Sequence, residues 1–371
     1  MPTFATTMDT KEPSYIEGIG WRYETEHSML RRMNDHDYQS RCIYMFTLTL
    51  ADRSQPLLGR LAIDDEGTPR LLPSPLGRRV AGEWQALSRE YPQVDVMRLQ
   101  LMEEHLHVVV FVRQRIPKHI GKLIGIVKNR CNKHYWQMLT EQGRLAPKGQ
   151  QTPPPLFSEN FQDTILSHEG QLKDMIRYVE DNPRRAMTKR SHPDLFKVVS
   201  ELNVTIPAQG TPEQRLTFAA IGNRWLLDRA VRMQVRCHRS DSPENLQLIA
   251  RQKEYFLDRG QKGGVVVSPC ISAGEKEIAR AALDAKQPLI VLMENGFPPL
   301  YKPPGKYFEA CAEGLLLMLA PWPYHMERRT ITRQQCLALN DMAAALSTEP
   351  WTAEREQSLK EQRGGNGSED G

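Results

Sequence analysis

Two histidines one residue apart, in the stretch MEEHLHVVVFV (residues 102–112), are the first place where this chain could do chemistry. In a strand, His105 and His107 project from the same face about 6–7 Å apart, close enough for two imidazoles to share one cation. The strand around them is built for burial. Leu106, Val108, Val110 and Val112 make one face apolar, and the histidine face turns apolar again at Val109 and Phe111. Neutral imidazoles set into such a strand require hydrogen-bond partners or a metal. Taken alone the pair is a weak signal. With ten histidines in the chain, chance gives an H-x-H about 0.3 times per sequence, and both could be ordinary polar residues at a strand end.

A second group follows in EGQLKDMIRYVEDN (residues 169–182). Leu172, Met175, Ile176 and Val179 define the core stripe of a helix, and Tyr178 and Asn182, four residues apart, project together from the edge of that stripe. A phenol placed there could reach over a sheet as a nucleophile, and the carboxamide could supply a third metal ligand. The same residues also allow a plain reading in which Tyr178 extends the core and Asn182, before Pro183, ends the helix.

The elements that must position these groups are legible from hydrophobic pattern. RCIYMFTLTLA (41–51) is a strand rich in β-branched and aromatic residues, and a helical pattern runs from Leu76 through Tyr91. Residues 94–102 and 105–112 form a tight strand pair joined by Glu103 and Glu104. After Pro117, a good first-turn residue, Ile120, Leu123, Ile124, Val127, Cys131 and Tyr135 mark one stripe of a long helix. QTPPPL (151–156) breaks the chain before a short strand, FQDTILS, and the Tyr178 helix. The order β, α, β, β, α, β, α predicts a two-layer α+β sandwich with an antiparallel sheet. It occupies a first domain at residues 1–192, whose first 40 residues are a polar arm.

Between His105 and Thr140 the chain has seven Lys or Arg and no acid. Lys118, Lys122, Lys128, Arg130 and Lys133 lie largely off the apolar stripe, with His134, Tyr135 and Trp136 adding ring surfaces. Such a helix face could pair with phosphates and stack unpaired bases, or be a solvated face with a core tyrosine.

A different grammar follows a loop-like stretch read as a linker (193–212). Buried strands at 264–270, 288–293 and 314–321 alternate with helical segments, which predicts an α/β domain with a mostly parallel sheet over residues 213–348. Ser268, Ser272 and Gly274 at a strand end and helix start could present amides to a phosphate, although Glu275 in the first turn would partly oppose an anion. There is no G-x-G-x-x-G and no P-loop lysine, which disfavours a dinucleotide enzyme or NTPase. Residues 349–371 read as a disordered tail.

Composition sets the outer bounds. A chain of 371 residues favours two domains. The net charge of +4 and pI near 8.7 are only mildly basic. Six cysteines without C-x-x-C spacing argue against a disulfide framework or thiolate zinc site and for a reducing cytoplasm. The N-terminus lacks an apolar signal core, and no apolar run approaches membrane-span length, so no membrane partner is expected.

H-L-H in a strand, then F-x-D-x-I-L (Phe161, Asp163, Ile165, Leu166), then Y-V-x-x-N-P-x-x-A (Tyr178, Val179, Asn182, Pro183, Ala186) resembles the single-tyrosine HUH transposases, especially the REP-associated, IS200-like branch. The resemblance covers residues 40–190 and implies the ferredoxin-like HUH fold. It also implies Tyr178 as nucleophile, Mg²⁺ or Mn²⁺ held by His105, His107 and Asn182, a 5′-phosphotyrosine intermediate, single-stranded or hairpin DNA as substrate, and a homodimer. Glu103-Glu104 stands where the family usually has a Pro-Asn type pair, and NPRRA replaces the commoner NPVKA. Residues 215–325, through FAAIGNRWLL, VVVSPCISAGEKEIARAAL and QPLIVLMENG, resemble more loosely the Rossmann-like domain of DNA-processing protein A. Two other functions fit the residues: a non-catalytic DNA-binding regulator that keeps the fold, and a nucleotide hydrolase seated in the second domain.

Overall fold

Strands form where β-branched and aromatic residues alternate, and the register they adopt decides which side chains meet. The computed structural model describes residues 14–16, 20–22, 36–145, 153–168, 170–206, 214–239, 241–298, 301–327 and 329–361. Most of the expected N-terminal arm lies outside these residues; Ser14–Ile16 (β1) and Gly20–Arg22 (β2) pair as a small sheet. The described chain divides into two compact units, at residues 36–191 and from residue 192 onward.

In the first unit Cys42–Thr49 (β3) follows a hydrophobic alternation and is the hub of a four-stranded antiparallel sheet. Its neighbours are His105–Val112 (β7), itself paired with Val94–Leu101 (β6), and Gln162–Leu166 (β8), giving the order β6-β7-β3-β8. Register places Thr47 opposite His107 and Thr49 opposite His105. Between β3 and β6 the chain inserts an antiparallel hairpin, Gly59–Ile63 (β4) with Pro69–Pro73 (β5), that the sequence reading passed over.

Pro75–Glu90 (α1) begins where the Ser74 hydroxyl accepts from Gly77 N at 2.9 Å and Pro75 takes the first turn. Gly77 is required: a Cβ there would stand 1.9 Å from the Leu58 carbonyl oxygen. Ile120–Glu141 (α2) packs Leu123, Ile124, Val127 and Cys131, together with Val80, Trp84 and Leu87 of α1, against Tyr44, Phe46, Val108 and Val110. The other sheet face is covered as well. Gln171–Glu180 (α3) buries Val179, with Leu172 and Met175, against Met45, Val109 and Leu166. The expected two-layer sandwich is therefore three-layered, because β7 is apolar on both faces beyond its histidines and each face needs a cover. Asn182–Ser191 (α4) continues directly from α3.

In the second unit Val199–Ile206 (β9), Gln214–Gly222 (β10), Arg232–Gln234 (β11), Val265–Ser268 (β12), Leu289–Leu292 (β13) and Leu316–Ala320 (β14) form one sheet in the order β11-β12-β13-β14-β10-β9. The first four strands are parallel, and β10 and β9 add an antiparallel edge. The helices Pro243–Gln261 (α5), Ala273–Asp284 (α6) and Lys306–Ala312 (α7) bury Phe256, Ile278 and Phe308 in one core cluster. Arg333–Leu346 (α8) buries Leu339, Ala343 and Leu346 in a second.

Two further expectations do not hold. The stretch read as a linker carries β9, whose Leu202, Val204 and Ile206 alternate with polar residues as a half-exposed edge strand does. The stretch read as a disordered tail contains Ala353–Glu361 (α9), tied down by buried Leu359 and by Arg251, which donates to the Leu359 carbonyl at 3.0 Å. Among the described residues no helix is long and apolar enough to cross a membrane.

Candidate active site

Strand alternation puts His105, His107 and Val109 on the α3 face of the sheet, and the helix brings its tyrosine over them. The His105 and His107 rings have centroids 4.9 Å apart, and the Tyr178 ring stands 5.8 Å from His107. These three expected site residues, separate in sequence, do converge. Asn182, one turn beyond Tyr178, is buried, and its Nδ2 donates to the Tyr178 carbonyl at 2.8 Å and to the Val179 carbonyl at 3.4 Å. Pro183 has no N–H to give the Val179 carbonyl, so the Asn182 side chain stands in for the missing donor. A planar carboxamide so engaged directs its oxygen away from those carbonyls, and that oxygen is what Asn182 could offer a cation.

Each histidine has its own setting. His107, 6% exposed, shares a 2.9 Å hydrogen bond through Nδ1 with the Thr47 hydroxyl across the β3–β7 pair. An imidazole held through Nδ1–H carries its lone pair on Nε2, the arrangement that orients a metal ligand. His105 Nδ1 lies 3.9 Å from the Glu104 carboxylate, which accepts from Arg53 at 2.9 and 3.3 Å. Tyr178 is 37% exposed; burial of the rest of the ring pushes its phenol above the ordinary tyrosine range, and the nearby charge of Arg185 acts in the opposite sense. Among the described residues no three His, Cys, Asp or Glu side chains come together as a metal site. Two imidazoles, joined by a carboxamide oxygen as expected from the sequence, would suit a first-row ion such as Mn²⁺ better than Mg²⁺, a cation that prefers oxygen.

The basic helix stands elsewhere. Helix α2 covers the sheet face opposite the histidines, so the cations expected to pair with phosphates do not flank them. Lys118, Lys122 and Lys133 are exposed. Lys128 instead donates to the Ser158 and Glu159 carbonyls at 2.7 and 2.6 Å, with burial lowering its pKa. Arg130 makes a two-pronged pair with Glu90 at 2.6 and 2.8 Å. The rings are used internally too: Tyr135 is core, Trp136 donates to the Pro154 carbonyl, and His134 pairs with Glu83.

In the second unit the helix start expected to receive a phosphate is filled by the protein's own carboxylate. Glu275, 2% exposed, accepts from Ile271 N at 2.8 Å and Ser272 N at 2.9 Å, with a longer contact from Cys237 N. The Ser272 hydroxyl accepts from Glu275 N, completing a capping box. Ser268 Oγ accepts from Cys270 N at 3.1 Å. Gly274 is a packing glycine, since a Cβ would sit 2.8 Å from Ile249 Cδ1. Sequence reasoning flagged Glu275 as opposing an anion and missed that it replaces one. It also missed Thr47, which only the strand register reveals, and the pairing of Glu104 with Arg53.

No family model matches the chain, and no curated protein matches it. Among solved structures, a REP-associated tyrosine transposase bound to a REP hairpin is similar at 13% identity and TM-score 0.27, over 42% of this chain and 73% of that one. DNA processing protein A from Helicobacter pylori, studied for its single-stranded DNA binding mode, is similar at 18% identity and TM-score 0.26, over 39% of this chain and 66% of that one. Scores this low do not establish a shared fold, so the chemistry of the site rests on its geometry.

Proposed function

We propose that the first unit is a single-tyrosine HUH-type enzyme that nicks and rejoins single-stranded or hairpin DNA, with Tyr178 as nucleophile. The observation that carries this reading is the row of rings His105, His107, Tyr178, meeting edge-on with centroids 4.9 and 5.8 Å apart, on one face of one sheet. His105 and His107, with the Asn182 oxygen, would hold a divalent cation, Mn²⁺ or Mg²⁺. Such an ion, when bound, neutralises charge on the phosphate oxygens that would otherwise repel a nucleophile.

The protein's own groups do the rest. Thr47 fixes the His107 ring, and the α3 stripe of Leu172, Met175 and Val179 sets Tyr178 above it. A partly buried phenol must give up its proton, here to solvent at its exposed edge, before it attacks, and the positive charge of Arg185 favours that loss. The phenolate oxygen then forms the bond to phosphorus while the bond to the 3′-oxygen breaks, and that oxygen leaves as a 3′-hydroxyl after taking a proton. The tyrosyl phosphodiester conserves the bond, so attack by a 3′-hydroxyl reverses the step without ATP.

The test is direct. Protein, Mn²⁺ and a hairpin oligonucleotide with single-stranded flanks are incubated, denatured and resolved, and the adduct is mapped by mass spectrometry to Tyr178. Tyr178→Phe, which keeps the ring, is expected to bind the oligonucleotide and form no adduct. Equal adduct in the variant would remove Tyr178 from its role.

A further inference from the structure

The turn between β6 and β7 buries two adjacent carboxylates, Glu103 at 6% and Glu104 at 4% exposure. Neighbouring buried charges persist only with partners of their own. Glu104 has Arg53. Glu103 has the Leu61 N–H from β4, at 2.9 Å, and the guanidinium of Arg190, which reaches it through both terminal nitrogens, one of them at 3.3 Å. Arg190 sits near the end of α4, on the helical run that carries Tyr178 and Asn182.

That run needs an anchor. Leu172, Met175 and Val179 seat α3 on the sheet, whereas α4 runs beside β5, buries just Asn182 and Pro183 and has no apolar stripe of its own. Another ion pair from the run to the sheet, Glu180 with Arg98, is solvent-exposed on both sides at 44% and 49%, where such pairs contribute little. The Arg190–Glu103 pair is shielded, and its acid lies two residues before His105 in the chain. One turn thus touches both halves of the site.

We propose that Glu103 and Arg190 are positioning residues, a buried clamp that holds the Tyr178 helix in register over the histidines. The catalytic meaning rests on the reading of the site given above; the clamp itself does not. The experiment compares wild type with Glu103→Gln, Arg190→Gln and Glu103→Asp by three readouts. These are nitration of Tyr178 by tetranitromethane, followed by peptide mass spectrometry with fully buried Tyr44 as internal control, Mn²⁺ affinity, and adduct rate.

Loss of the clamp is expected to raise Tyr178 nitration severalfold while Tyr44 stays protected, and to weaken Mn²⁺ binding, because Asn182 rides on the same helical run. Adduct rate should fall about a hundredfold, the cost of an ångström-scale misplacement of a reacting group. Glu103→Asp, which keeps the charge, should recover part of each effect. Unchanged Tyr178 nitration in both Gln variants overturns the proposal, and so does a parallel rise at Tyr44, which would mark general loosening. If wild type forms no adduct at all, the enzymatic reading fails, and the nitration contrast still decides whether the clamp exists.

Discussion

Replacing Thr47 by Val tests the metal half of the site most cleanly. The change keeps the β-branched shape suited to a strand and removes one hydroxyl, the group 2.9 Å from His107 Nδ1. Thr47 faces His107 directly in the β3–β7 register and is half-buried, so valine fits the same space. Folding should lose about 1 kcal/mol, the usual worth of such a hydrogen bond. Metal affinity should lose more, because removing the partner that orients a ligating imidazole typically costs about 10–100-fold, or about 1.4–2.8 kcal/mol. The assay is a Mn²⁺ titration followed by the paramagnetic resonance signal of free Mn²⁺, beside a denaturant unfolding curve for each protein. Affinity equal to wild type would show that the Thr47 hydroxyl does not orient a metal-ligating His107, and that positioning role would be withdrawn.

Two other outcomes follow from the same geometry. Because burial disfavours its phenolate, Tyr178 should titrate above about pH 10 in metal-free protein, read from the tyrosine ¹³Cζ resonance that disappears in Tyr178→Phe. With the folded pKa raised, the unfolded chain sheds this proton first, so the contribution to stability declines as pH rises through the unfolded value; a midpoint at or below the ordinary value refutes the burial argument. Lys128→Met should lower stability by about 1–3 kcal/mol, since it strips the donor from two carbonyls, and should leave the salt dependence of oligonucleotide binding unchanged. A shallower salt slope would return Lys128 to the DNA-contacting set.

Much of the sheet was legible because its strands are strongly patterned. β3, β6, β7 and β8, and helices α1 and α2, fall within a few residues of where periodicity puts them, and Tyr178 does reach the histidine face. What escaped depends on partners remote in sequence. The stripe of α2 announces a core contact, but which sheet face it covers is settled by competition with α3. Lys128 looks like any exposed lysine until the loop at Ser158 and Glu159 folds across it. The hairpin β4–β5 hides behind its prolines, Pro69 and Pro73, and exposes Ile63 and Leu72, so no buried alternation marks it. β9 hides for a related reason: an edge strand half open to water contains Asn203 and Thr205 where a central strand would not.

The Glu275 cap turns the start of α6 into a contest that most anions would lose. A free phosphate arriving at Ile271 N and Ser272 N meets a rival tethered to the same turn, at an effective concentration on the order of millimolar or higher. Both amides are thereby already satisfied from within the chain at this end of the parallel sheet. Deleting that carboxylate would leave the amides of Ile271 and Ser272 without their acceptor and strip α6 of one half of its reciprocal cap.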